Sequence, residues 1–177
     1  MFRKAFHSVN RSRMFEILIA YGIPITIVNT NKILYKDTTA SFVTPEGETE
    51  PFIIRTGALQ GDLLATFLFV IFLDNALRTS ITSNHGFTLK FRQSRRHPCE
   101  RLSNLDFADD IALIEDGIIA SPELLTAVEK ACKDVGLFLN APKTKYMHIN
   151  PSSDTQLISS DGSIIECVND FKYLGRH

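Results

Sequence analysis

The sequence predicts an α+β domain. Segments of helical periodicity alternate with short β-prone runs, glycine or proline marks most junctions, and no repeat, low-complexity tract or interdomain linker divides the chain. Its 177 residues, 44% of them apolar, suffice for one domain with a sizeable core.

Residues 8–23 read as a helix with Met14, Ile17, Leu18 and Tyr21 on one face, closed by Gly22 and Pro24. A second helix is expected over 24–35, burying Ile25, Val28, the aliphatic stem of Lys32 and Tyr35. Residues 39–43 and 51–55 are β-prone, and Thr44-Pro45-Glu46-Gly47 supplies the turn of a hairpin. Residues 57–61 form a glycine-bounded bend, after which Asp62 can cap a helix running to about Thr79. That helix is apolar nearly all round, which predicts a core position. Its longest apolar run, 63–73, is about half the ~20 residues a membrane span needs, so no membrane partner is expected.

Residues 82–100 contain a glycine, a proline and a basic cluster, and read as a connector holding one strand at 87–92. Apolar β-like runs at 102–107 and 111–115 flank Ala108-Asp109-Asp110, predicting strand, tight turn, strand. Ser121-Pro122-Glu123 opens a helix, with proline in the tolerant first turn and an acid near the positive end; it closes near Gly136. The remainder is short and β-like at 145–149, 156–159, 163–168 and 171–174, punctuated by Pro151 and Asp161-Gly162.

Net charge is −1, but its distribution is uneven. Residues 1–101 carry 13 Lys+Arg against 8 Asp+Glu, and residues 102–177 carry 6 against 12. A basic half suited to phosphate and an acidic half suited to metal is one reading; solvated surface charge is the other. Lys90, Arg92, Arg95, Arg96 and Arg101 form the densest basic cluster and are a candidate phosphate-contacting patch, the alternative being a solvated connector. Cys99, Cys132 and Cys167 are odd in number and widely spaced, which points to a reducing compartment rather than a disulfide framework or zinc site. The N-terminus lacks the apolar stretch of a signal peptide, so an intracellular location is expected.

Two features carry candidate chemistry. Asp109 and Asp110 fall at a hairpin tip, where adjacent carboxylates repel unless a cation or donors compensate. Mg²⁺ takes one or two carboxylates plus substrate phosphates, although acidic turn residues are also commonly just solvated. Gly57-Ala58-Leu59-Gln60-Gly61 lets backbone approach a ligand, with Gln60 offering a donor and an acceptor.

Taken in order, these features resemble the reverse transcriptase family, in its non-LTR, LINE-like branch. Phe107-Ala108-Asp109-Asp110 follows Gly57-x-x-Gln60-Gly61 by about fifty residues. Arg3-Lys4-Ala5-Phe6-x-Ser8-Val9 resembles the end of the first palm motif, and Asp62-x-Leu64-Ala65-x-Phe67-Leu68-Phe69 extends the Gln-Gly motif. Gly136-Leu137-x-Leu139-Asn140-x-x-Lys143-Thr144-Lys145 resembles the lysine-bearing motif, and Phe171-Lys172-Tyr173-Leu174-Gly175 the primer grip.

The resemblance implies a polymerase palm-like fold, an antiparallel sheet packed against helices with a residual fingers portion. It implies RNA-directed DNA synthesis by two metal ions, Mg²⁺ with Mn²⁺ as substitute, on RNA template, DNA primer and dNTP, in nucleus or cytoplasm. By the same resemblance Asp109 is a metal ligand, Asp110 supports the metal site, and Lys143 neutralises or protonates pyrophosphate. Phe6 packs under the sugar and excludes a 2′-hydroxyl, Gln60 and Gly61 border nucleotide and template, and Tyr173, Leu174 and Gly175 lie against the primer.

The sequence also departs from the family pattern. Counting five residues back from Phe6, where the first motif carries a metal-binding aspartate, lands on Met1, and a thioether is a poor ligand for a hard cation. His7 replaces an aspartate expected as a cap or anchor, and Leu63 and Thr66 stand where threonine and proline are usual. The expectation is a partial domain over 1–177 that starts inside the first palm motif, stops at the primer grip without a thumb, and is inactive as it stands. A non-catalytic nucleic-acid-binding or structural module derived from the palm is the alternative.

Overall fold

The computed structural model describes residues 2–58, 63–91, 94, 96, 99–117, 119–149 and 156–175. The chain divides into an N-terminal unit, 4–75, and a C-terminal unit, 76–177 with residues 1–3.

In the N-terminal unit the helix expected over 8–23 is two helices, α1 (Ala5–Ser8) and α2 (Arg11–Ala20). Asn10 makes the break: extended at φ −77°, its side chain accepts from the Arg13 amide at 3.2 Å and caps α2. Met14, Ile17 and Leu18 are buried as the spacing predicts, whereas Tyr21 is exposed and its hydroxyl donates to Asp74 at 2.8 Å. Helix α3 (Ile25–Tyr35) buries Val28, Asn31 and Tyr35. Lys32 and Ile25 lie outside that face. The nitrogen of the Asn31 amide is satisfied by donating to the Ile27 carbonyl at 2.9 Å, while its Oδ1 is buried without a hydrogen-bond partner among the described residues.

The expected hairpin forms as two short ladders. Strand β1 (Thr39–Ala40) pairs antiparallel with β4 (Phe52–Ile53), and β2 (Val43–Thr44) with β3 (Gly47–Glu48) across Pro45-Glu46. Helix α4 (Leu63–Ser80) follows. Ala65, Leu68, Phe69, Phe72 and Leu73 are buried, but Leu63, Phe67 and Val70 are exposed, so α4 has a core face and an apolar outer stripe. Composition cannot separate these faces, because both are apolar.

In the C-terminal unit β5 (Phe87–Lys90) pairs with β6 (Glu100–Leu102), a partner hidden in the sequence by the connector between them. Ser103 interrupts the strand expected over 102–107, leaving β7 (Asn104–Phe107) to pair with β8 (Asp110–Leu113). Helix α5 (Ser121–Asp134) turns Leu124, Leu125, Val128 and Cys132 inward. Leu125, Ala141, Leu157 and Ile165 form a core beneath Leu139 and Tyr146. Among the described residues of the β-like runs beyond Gly136, β9 (Lys145–Tyr146) and β10 (Glu166–Cys167) pair in parallel, Ile158 bridges Ile164, and Tyr173 is an isolated bridge residue. The described residues are thus an α+β mixture, as expected, with five two-stranded sheets, four antiparallel and one parallel.

Candidate active site

The acidic hairpin is built by its register. Leu105 pairs with Ala112, Asp106 with Ile111 and Phe107 with Asp110, which leaves Ala108-Asp109 as a two-residue loop. Such loops match the strand twist when a central residue takes positive φ. Ala108 does so at +52°, a conformation that costs a non-glycine residue about 1–2 kcal/mol. The strain sits beside the acids, and strained backbone concentrates at functional sites. Asp109 occupies the loop and Asp110 starts β8, both half-buried. Among the described residues no group of three or more His, Cys, Asp or Glu side chains gathers to hold a metal. Asp109 and Asp110 are hard oxygen donors and fit a divalent cation whose other ligands come from substrate and water.

The C-terminal segment reaches this hairpin. The Tyr173 hydroxyl donates to the Leu105 carbonyl at 3.1 Å and lies 3.5 Å from that of Asp110. Desolvation, then the charges of Asp106 and Asp110, push the Tyr173 pKa up. Residues 171–174 are not a strand as expected: Leu174 and Gly175 both turn left-handed, at φ +49° and +82°.

A groove of about 890 Å³ opens within the C-terminal unit. It is lined by Asp110, Lys143, Tyr173 and Leu174, with Leu124, Leu125, Val128, Leu157 and Ile165 supplying apolar walls. Four residues singled out from sequence therefore border one space. Asp109 and Gly175 are not part of its lining. Lys143 closes a 3₁₀ turn, Ala141–Lys143, and is exposed.

In the N-terminal unit Phe6 stacks on Phe69 of α4, ring centroids 4.5 Å apart. The Gly57 and Ala58 amides donate to the Val9 and Phe6 carbonyls at 2.9 and 2.7 Å, which joins the first motif to the glycine bend. His7 sits exposed inside α1, away from any cap position. Gln60 and Gly61 lie outside the described residues, as does Met1.

Two polar anchors escaped the sequence. Arg11 donates to the carbonyls of Gly57, Tyr35 and Ile54 at 2.9, 3.0 and 2.9 Å, and burial lowers its pKa. Glu115, its side chain 6% exposed, accepts from the Gly86 amide at 3.1 Å and meets His85 at 3.2 Å. Neither has a periodic signature. The basic patch is revised too: Arg101 bonds the Gly86 and His85 carbonyls and pairs with Asp116 at 3.3 Å, and Lys90 pairs with Glu100 at 3.0 Å. Their charges are answered within the protein. Arg92 and Arg95 lie outside the described residues.

The family model for reverse transcriptase (RNA-dependent DNA polymerase) matches residues 2–177. The chain belongs to the reverse transcriptase family. Its curated relatives narrow the branch. It is 34% identical over 143 residues to a "Retrovirus-related Pol polyprotein from type-1 retrotransposable element R2" of Popillia japonica, covering 80% of this chain and 19% of that protein. A second such polyprotein from Popillia japonica is 28% identical, over 98% of this chain and 29% of its own length. The type-2 element R2DM polyprotein of Drosophila melanogaster is 27% identical, over 97% of this chain and 16% of its own length. These relatives bear out the non-LTR assignment. The reverse transcriptase chain spans between about a sixth and under a third of their length.

Proposed function

We propose that this chain carries the metal-binding turn of a palm-like fold for RNA-directed DNA synthesis, with Asp109 a direct ligand of Mg²⁺ or Mn²⁺ and Asp110 supporting it. The supporting observation is the hairpin itself: register puts Asp109 in a strained two-residue loop, and the Tyr173 segment is fastened to the same turn. A bound cation would supply Lewis-acid stabilisation of the phosphoryl group. The protein's own residues position and neutralise. Lys143, exposed at the groove, would meet pyrophosphate charge, and Leu174 and Gly175 would lie along a primer strand. Phe6, braced by Phe69, would pack under the sugar and select dNTP, with Gln60 and Gly61 beside nucleotide and RNA template.

Met1 stands where the family pattern carries another carboxylate, so extension by this chain alone is expected to be weak. Loss of one such electrostatic contribution costs about 10²–10³ in rate. The test is primer extension on an RNA template with Mg²⁺ or Mn²⁺, alongside Mn²⁺ binding by electron paramagnetic resonance, for the chain and its Asp109→Ala variant. Mn²⁺ binding lost in the variant supports the site. Robust extension by the chain, abolished by the variant, would show the carboxylate set complete without position 1. Equal Mn²⁺ binding by both would remove Asp109 as a ligand.

A further inference from the structure

We propose that Tyr173 is a positioning residue for the metal-binding turn, acting through the protein backbone rather than on the primer. The inference rests on the reading of Asp109 and Asp110 as metal ligands.

The geometry carries it. A phenol has one proton to donate, and that of Tyr173 points at the Leu105 carbonyl, 3.1 Å away on β7, with the Asp110 carbonyl on β8 at 3.5 Å. One hydroxyl thus spans both strands of the hairpin, below the loop that holds Asp109. The restraint is well placed, because a two-residue loop with Ala108 held left-handed can relax strain by tilting its tip, and any tilt moves both carboxylates. Immediately after Tyr173 the chain turns through two left-handed residues, which fixes the direction in which it leaves the hairpin. A strand of nucleic acid pressing on Leu174 and Gly175 would therefore load the metal turn through this bond. Metal affinity and primer contact become coupled by one side chain.

The experiment measures Mn²⁺ affinity of the full chain by electron paramagnetic resonance, with melting temperature beside it. Tyr173→Phe keeps the ring and removes the donor. Its Mn²⁺ dissociation constant should rise roughly threefold to tenfold, the scale of one net hydrogen bond, with melting little changed. Para-aminophenylalanine at position 173 restores a donor on the same ring and should recover the affinity, which mere packing would not require. Asp109→Asn separates the two ideas. If it abolishes Mn²⁺ binding while Tyr173→Phe binds like the wild type, the positioning role is overturned and the metal site stands. If Asp109→Asn itself binds normally, the site reading fails and the inference with it.

Discussion

Gly57 lies with its backbone against that of His7: a Cβ built at position 57 would sit 2.8 Å from both the Cα and the carbonyl oxygen of His7. The same residue holds φ +87°, where side chains are strained even in open space. The first glycine of the Gly-x-x-Gln-Gly run is therefore explained by packing inside the N-terminal unit. Gly57→Ala should destabilise that unit by about 1–3 kcal/mol, adding backbone strain to a clash that only backbone movement relieves. Urea denaturation of the wild type and variant measures it. An unchanged midpoint would mean that the backbone at His7 gives way without cost.

Arg11 extends this argument, since its guanidinium ties the Gly57 carbonyl to those of Tyr35 and Ile54 and lies 4.9 Å from the Tyr35 ring centroid. Lysine keeps the charge but lacks the planar fork. Arg11→Lys should therefore cost about 2–4 kcal/mol, read in the same denaturation experiment, by depriving the part-buried Gly57 and Ile54 carbonyls of the guanidinium donors. A cost below about 0.5 kcal/mol would show that lysine or water satisfies them equally.

Much of this was legible in the sequence, and the part that was not has a common cause. The hairpin of Asp109 and Asp110, α5 and the Pro45-Glu46 turn follow from local pattern, because period and turn chemistry act over a few residues. The cap at Asn10 was missed, because the apolar spacing of Met14, Ile17 and Leu18 continues smoothly enough to hide the break before it. Arg11 and Tyr173 were opaque as anchors. Each acts on backbone carbonyls, which every residue possesses, at separations of 24 to 68 residues, so no residue type marks the acceptor.

Arg101 should behave as a structural residue rather than a phosphate contact. Its bonds to Gly86 and His85 and its pairing with Asp116 and Glu115 hold β5, β6 and the segment after β8 together. Arg101→Ala should lower stability by about 1.5–3 kcal/mol while leaving unchanged the slope of log K against log salt for a primer–template duplex. Arg96, exposed, is the better phosphate candidate, and Arg96→Ala should reduce that slope by about 0.7–0.9. The reverse pattern in a salt titration would restore Arg101 to the interface.

Cys132 is buried on α5, and burial pushes its thiol from 9.0 up to about 12, while Cys99 and Cys167 are exposed. A thiol reagent at pH 8 should modify two cysteines in the native protein and the third only after denaturation. The shift has a stability consequence of fixed sign. A folded pKa above the unfolded one means that stability is whole below pH 9 and is lost as pH rises towards 12. Cys132→Ala should flatten that alkaline loss; an identical alkaline profile would assign it elsewhere.

The reach of Arg11 also dictates an order of events during synthesis. Its acceptors lie 24, 43 and 46 residues downstream, so none has been made when residue 11 is polymerised. At about 5–20 residues per second the guanidinium waits roughly 2–9 s for Gly57 to follow it. Through that interval α2 has its own cap at Asn10 but no tertiary anchor, and Met14, Ile17 and Leu18 have no completed core to enter. The nascent N-terminal unit therefore stays open to protease and chaperone at least until residue 57 has been added, and its core is complete only once α4 has followed with the buried Phe69 and Phe72.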